Sequence, residues 1–262
     1  MDFSHEELVE VVERLVNGLL ERAGVAEPPV DALHIAEVHL GIPVEVVEST
    51  EEDEIAPPAH FPGRGRARPR GRAGAPPRTP ARNRRRGVGL VLTADMTPAQ
   101  RQKAAAESIA RGLVPAVLHK LGLPPDAAHR PFVTHLCGLI VPRLLIPTRL
   151  LRSALRVQKF DVAALSREFA TATTEAVALR LLDLEEPCVV SIVDDGVVTV
   201  RRSNRPAVGR KLEPAEQLCH DRVAELELPQ RVRQGGWSVN GWFVPDRPFR
   251  RILLRASWDD TV

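Results

Sequence analysis

Residues 97–121 read Thr-Pro-Ala-Gln-Arg-Gln-Lys-Ala-Ala-Ala-Glu-Ser-Ile-Ala-Arg-Gly-Leu-Val-Pro-Ala-Val-Leu-His-Lys-Leu, and this run decides the fold. Thr97-Pro98 opens a helix, because proline is preorganised for the first helical turn and gives up only an amide that would be unpaired there anyway. Ile109, Leu113, Val117 and Leu121 then step every fourth residue, laying an apolar stripe along one face. Pro124-Pro125 breaks the pattern.

Towards the N-terminus, Gly87 to Thr93 is a short β-branched run that predicts a buried strand. A second strand is expected over Ile42 to Val47. Two helices precede it. The first starts at a capping box, Ser4 with Glu7, carries Leu8, Val12, Leu15 and Leu19, and ends at Gly24. The second carries Leu33, Ala36 and Leu40 and stops at Gly41.

On the C-terminal side the spacing predicts an apolar helix from Pro131 to Leu145 and a short one from Thr148 to Leu155. Asp161 to Phe169 and Thr173 to Leu184 follow as a pair with helix-turn-helix proportions. Past Pro187 the period falls to two. Val189 to Val193 and Val197 to Arg201 flank Asp194-Asp195-Gly196 as a β-hairpin. Val223 to Leu228, Trp237 to Val244 and Phe249 to Arg255 are expected as further strands. The fold class is therefore α+β: a mainly helical scaffold with a small sheet, followed by a β-rich C-terminal module. The expected divisions are 1–55, 56–86, 87–184 and 185–262.

Charge is segregated along the chain. Met1 to Ile55 holds fifteen Asp/Glu against two Arg, a balance of −13, and Ala56 to Arg86 holds ten Arg and no acid. The basic stretch is built of Pro, Gly, Ala and Arg, and with so little to bury it is expected to be a disordered insertion. Arg64, Arg66, Arg68, Arg70 and Arg72, closed by Arg84, Arg85 and Arg86, offer guanidinium forks suited to phosphate or to an acidic partner. No aromatic residue interleaves with them, which argues against sequence reading: the tract fits non-specific nucleic acid, or else is an unstructured arginine-rich loop partly neutralised by the chain's own acidic N-terminal block.

No apolar run reaches the roughly 18–20 residues a membrane span needs. The N-terminus lacks the basic-then-apolar layout of a secretory signal. Three scattered cysteines, Cys137, Cys188 and Cys219, make no disulfide framework, so a cytoplasmic protein without a membrane partner is expected.

The order of these pieces resembles the ImmA/IrrE family of metallo-endopeptidase-like proteins. The resemblance is carried by Glu27-Pro28-Pro29-Val30-Asp31 through Leu40-Gly41-Ile42-Pro43-Val44, the strand Val88 to Thr93, Thr97-Pro98-Ala99-Gln100-Arg101-Gln102, Leu144-Leu145-Ile146-Pro147, and Leu165-Ser166-Arg167-Glu168-Phe169 through Leu182. It covers Leu8 to Leu184. The resemblance implies a long helix bearing His-Glu-x-x-His, in which two histidines bind zinc and the glutamate activates the bound water. This chain has no histidine between His60 and His119. One register puts Ala106 and Ala110 at the histidine positions and keeps Glu107; another puts Ser108 and Gly112 there. Phe132 to Val141 contains no acidic third ligand.

The expectation is a catalytically inactive relative, needing no cofactor, that acts as a regulatory interaction protein on a helix-turn-helix repressor. A divergent zinc endopeptidase with Glu107 as its catalytic carboxylate is the alternative, and a nucleic-acid-associated factor using the Arg tract is a third reading. His34 and His39, five apart on one helix, are expected about 140° from each other by helical geometry and unable to share a metal. His119 reads as serving the end of the long helix, and Cys219-His220 as neighbours pointing apart. His135 and Cys137 read as packed side chains. In the second helix of the pair only Arg180 is basic, too little for a recognition helix.

Overall fold

The computed structural model describes residues 4–48, 89–124, 127–205, 208–245 and 249–258. The expected disordered insertion over 56–86, with all of its arginines, lies outside the described residues.

Helix α1 (His5–Arg22) starts at the Ser4/Glu7 capping box and buries Leu8, Val12, Val16, Leu19 and Leu20. After α2 (Ala32–His34) the backbone widens into a π-helical turn over Ile35–His39. Strands β1 (Val44–Val47) and β2 (Leu90–Thr93) pair in parallel, Val44 opposite Leu90. Helix α3 (Pro98–Lys120) begins at a second capping box, Thr97 with Gln100. Helices α4 (Arg130–Leu145) and α5 (Thr148–Gln158) meet at a 48° bend. Their buried faces, Leu136, Ile140 and Leu144 with Leu151, enter the main core. Among the described residues no single helix is long and apolar enough to cross a membrane. Helices α6 (Val162–Glu168) and α7 (Thr174–Arg180) complete the helical part.

The C-terminal part holds β3 (Val189–Asp194), β4 (Val197–Ser203), helix α8 (Pro214–Leu226), β5 (Gln230–Gln234), β6 (Trp237–Val244) and β7 (Arg251–Trp258). They form an antiparallel sheet of order β4-β3-β7-β6-β5. Alternation gives the sheet two buried faces. Val190, Ile192, Trp242 and Leu253 join the core of the helices, while Val189, Val239, Leu254 and Ala256 pack under α8 with Cys219 and Val223. The architecture is α+β, three layers deep at this end.

Two expectations are corrected. Val223 to Leu228 is not a strand, because Val223 to Leu226 is the last turn of α8. Ala215, Cys219 and Val223 recur at helical spacing, Pro214 occupies the first turn, and Glu213 with Glu216 makes a capping box. The neighbouring strand is β5, whose burial is confined to Val232. The histidine geometry also changes. Leu40 N–H donates to Ile35 O, five residues back, at 3.1 Å, and this wider turn brings the rings of His34 and His39 to 5.7 Å between centroids, edge to face.

Candidate functional site

Successive i, i+4 residues of α3, Lys103, Glu107 and Arg111, front a cleft of about 600 Å³. The opposite wall is α4, through Val133, Thr134, Cys137, Gly138 and Val141, and the far end is closed by Thr171–Thr173 with Ala176 and Leu179 of α7. Pro115 and Pro142 supply no N–H to the carbonyls of Arg111 and Gly138, four residues earlier, and both of those residues line this cleft.

The charged row is internally paired. Glu107 lies 4.0 Å from Lys103 Nζ and 3.4 Å from Arg111 Nη2, as the rise of one helical turn dictates. All three side chains remain solvated at the mouth. Deeper in, desolvation pushes the Cys137 thiol above its ordinary value; Arg111 opposes this and Glu107 adds to it. Thr171 Oγ1 is buried with no hydrogen-bond partner among the described residues.

Neither pair of residues set at the histidine positions by the two registers lines the cleft. Ala106 and Ala110 are fully buried in the core and turn away from the cleft. Ser108 and Gly112 are not among its lining residues either. The face that meets the opposing helix presents ammonium, carboxylate and guanidinium in sequence. Glu107 stands in the cleft, as does Cys137, and its carboxylate is held between two cations rather than facing a metal-ligand set. Among the described residues no group of three or more His, Cys, Asp or Glu is placed to hold a metal ion.

Arg180 is only 2% exposed. Its Nε and Nη2 donate to Ile146 O at 3.1 Å, and Nη2 donates to Thr148 Oγ1 at 2.7 Å. It is paired with Asp183, and Arg143 beside it reaches Glu13 at 3.2 Å and Asp183 at 2.9 Å. Two buried arginines and two acids thus tie α1, α4 and α7 together, and α7 has no basic group to offer a base edge. Cys219 is fully buried, its thiol pushed up to about 11 by burial, while His220 turns to Asp221 at 3.0 Å. His119 stands in the last turn of α3, and His135 lies with its ring 6.5 Å from that of His5.

Sequence reasoning missed a second, more polar cavity of about 500 Å³, where the turn between α5 and α6 meets strands β5, β6 and β7. Its signal was weak: Arg231, Asn240 and Arg255 lie far apart in sequence and converge only through strand pairing.

No family model and no curated protein matches the chain. Among solved structures it is similar to a Mycobacterium tuberculosis transcriptional regulator, with a TM-score of 0.60 and 17% identity over 97% of this chain and 80% of that one. That likeness is one of fold.

Proposed function

We propose that this chain is a catalytically silent ImmA/IrrE-like protein that acts as a regulatory interaction partner of a helix-turn-helix transcriptional repressor. One observation carries the reading: the α3 face on the cleft bears Lys103, Glu107 and Arg111, an ion-paired row with a net positive charge. Zinc hydrolysis needs three neutral or anionic ligands around a dication, whereas the two side-chain cations flanking Glu107 repel one and already occupy the Glu107 carboxylate. A scaffold without the ion keeps its surfaces, so recognition of a partner survives where hydrolysis does not. The similar fold is that of a transcriptional regulator, which supports a regulatory setting.

The test uses the full chain, incubated with zinc, desalted and assayed for metal, then mixed with helix-turn-helix repressors from the same genome. Substoichiometric zinc, an intact repressor and a complex in gel filtration are expected. Stoichiometric zinc, or cleavage abolished by Glu107→Gln, overturns the silent reading, and the absence of any complex overturns the regulatory one.

A further inference from the structure

The inner face of the C-terminal sheet changes character along its strands. Trp242 and Leu253, paired across β6 and β7, are apolar and close the helical core. Two residues along, the directly paired row is Arg231 on β5, Asn240 on β6 and Arg255 on β7. Next comes Ser238 opposite Ser257. A polar row on a face otherwise packed against helices requires either partners or space, and here it borders the 500 Å³ cavity.

The carboxylates bordering the cavity are already committed. Asp161 caps α6, accepting from the amides of Ala163 at 3.0 Å and Ala164 at 3.2 Å. Glu186 holds Arg255 Nη2 at 2.8 Å. Arg255 itself is 3% exposed, lies 3.8 Å over the Phe160 ring, and keeps a buried Nε with no hydrogen-bond partner among the described residues. On the rim, the Arg231 guanidinium donates to Ser238 Oγ at 3.3 Å, and Lys159 sits at φ 53°, a left-handed backbone that a side-chain-bearing residue rarely adopts.

We infer that this cavity binds a small polyhydroxylated anion, a sugar phosphate or a sugar acid. Arg231 and Lys159 supply the positive charge, Asn240 and Gln158 supply carboxamides that both donate and accept from neighbouring hydroxyls, and Trp242 gives an apolar wall. The volume suits a single phosphorylated sugar. This site lies on a different part of the molecule from the α3 cleft and does not depend on the proposed function.

Calorimetric titration of the full chain tests it, with glucose 6-phosphate, ribose 5-phosphate, glycerol 3-phosphate and gluconate as probes, and glucose and inorganic phosphate as controls. Saturable binding of at least one probe is expected, weakened tenfold or more by Arg231→Met and by Asn240→Ala, with thermal melts verifying that the variants fold. Binding by the phosphates alone identifies a phosphate group, and binding by gluconate alone identifies a carboxylate. Inorganic phosphate binding as tightly as the best probe overturns the inference, as does binding unaffected by either substitution or no saturable binding by any probe.

Discussion

Glu216 at the start of α8 is fully buried, with its carboxylate 2.6 Å from the Arg201 guanidinium on β4. Ser191 Oγ donates to the same carboxylate at 2.9 Å and the Glu213 amide at 2.8 Å, so both oxygens are used. The pair fastens α8 to the sheet. Removing one partner strands a buried charge, and Glu216→Ala is expected to cost about 3–5 kcal/mol. The double variant Arg201→Met, Glu216→Met leaves no orphan charge and should recover most of that loss. Urea unfolding at constant m-value reads both.

Gly241 sits where α8 presses on β6. A Cβ there would stand 2.8 Å from Val223 Cγ2, 2.9 Å from Cys219 Sγ and 3.0 Å from Leu254 Cδ2. Gly241→Ala should therefore destabilise by about 1–3 kcal/mol through overpacking. Adding Val223→Ala relieves the nearest contact, so the double variant should lose less than the sum of the two single losses. Thermal melts of the three variants check this.

Asp31 links α2 to α3, accepting from the His34 amide and from Gln102 Nε2, each at 2.9 Å. Burial pushes its carboxyl up, yet the His34 amide, Gln102 and the nearby His34 ring together hold it below its ordinary 3.8. A lowered folded-state value means the folded chain binds this proton less tightly than the unfolded one. The stabilisation is thus present above about pH 4 and lost as pH falls through the depressed value. Asp31→Ala should cost about 1 kcal/mol at neutral pH, as for other lost helix caps, and the gap from the parent should narrow below pH 4 in pH-dependent denaturation.

The cysteines differ in access. Cys137 is partly exposed in the cleft, whereas Cys188 and Cys219 are buried. Burial raises all three thiols. Iodoacetamide should label Cys137 alone in the folded chain, faster as pH rises past 9, and reach the other two only on unfolding. Mass spectrometry of the labelled peptides gives the answer.

Arg251 on β7 reaches Asp194 with two hydrogen bonds, at 2.6 and 2.7 Å, and also pairs with Glu175 of α7. It thereby joins the sheet to the helices. Arg251→Met should lower stability by about 2–4 kcal/mol, because it leaves two mostly buried carboxylates without their shared cation. The same urea titration measures the loss, which should be larger than that of Glu107→Ala. Glu107 belongs to a solvated helix-surface trio, for which a change within about 1 kcal/mol is expected.

The amino-acid sequence by itself determined what is local. The capping box of Ser4 and Glu7, the fourfold apolar steps of α3 and the Asp195-Gly196 turn, at φ 47° and 80°, are each encoded within a few residues. Their energetics involve neighbours in the chain, so a linear reading finds them. Tertiary structure decided everything that depends on facing. It turned Lys103, Glu107 and Arg111 rather than Ala106 and Ala110 towards the cleft, buried Arg180 among Glu13, Asp183 and Ile146, and assembled Arg231, Asn240 and Arg255 into one row. It also widened the turn that brings His34 to His39 and kept Val223 in a helix against the sheet. The reason is physical: an apolar stripe shows which side of a helix is buried, but which of its polar residues border a cleft is set by the element packed opposite, and strand register joins residues that no sequence spacing connects.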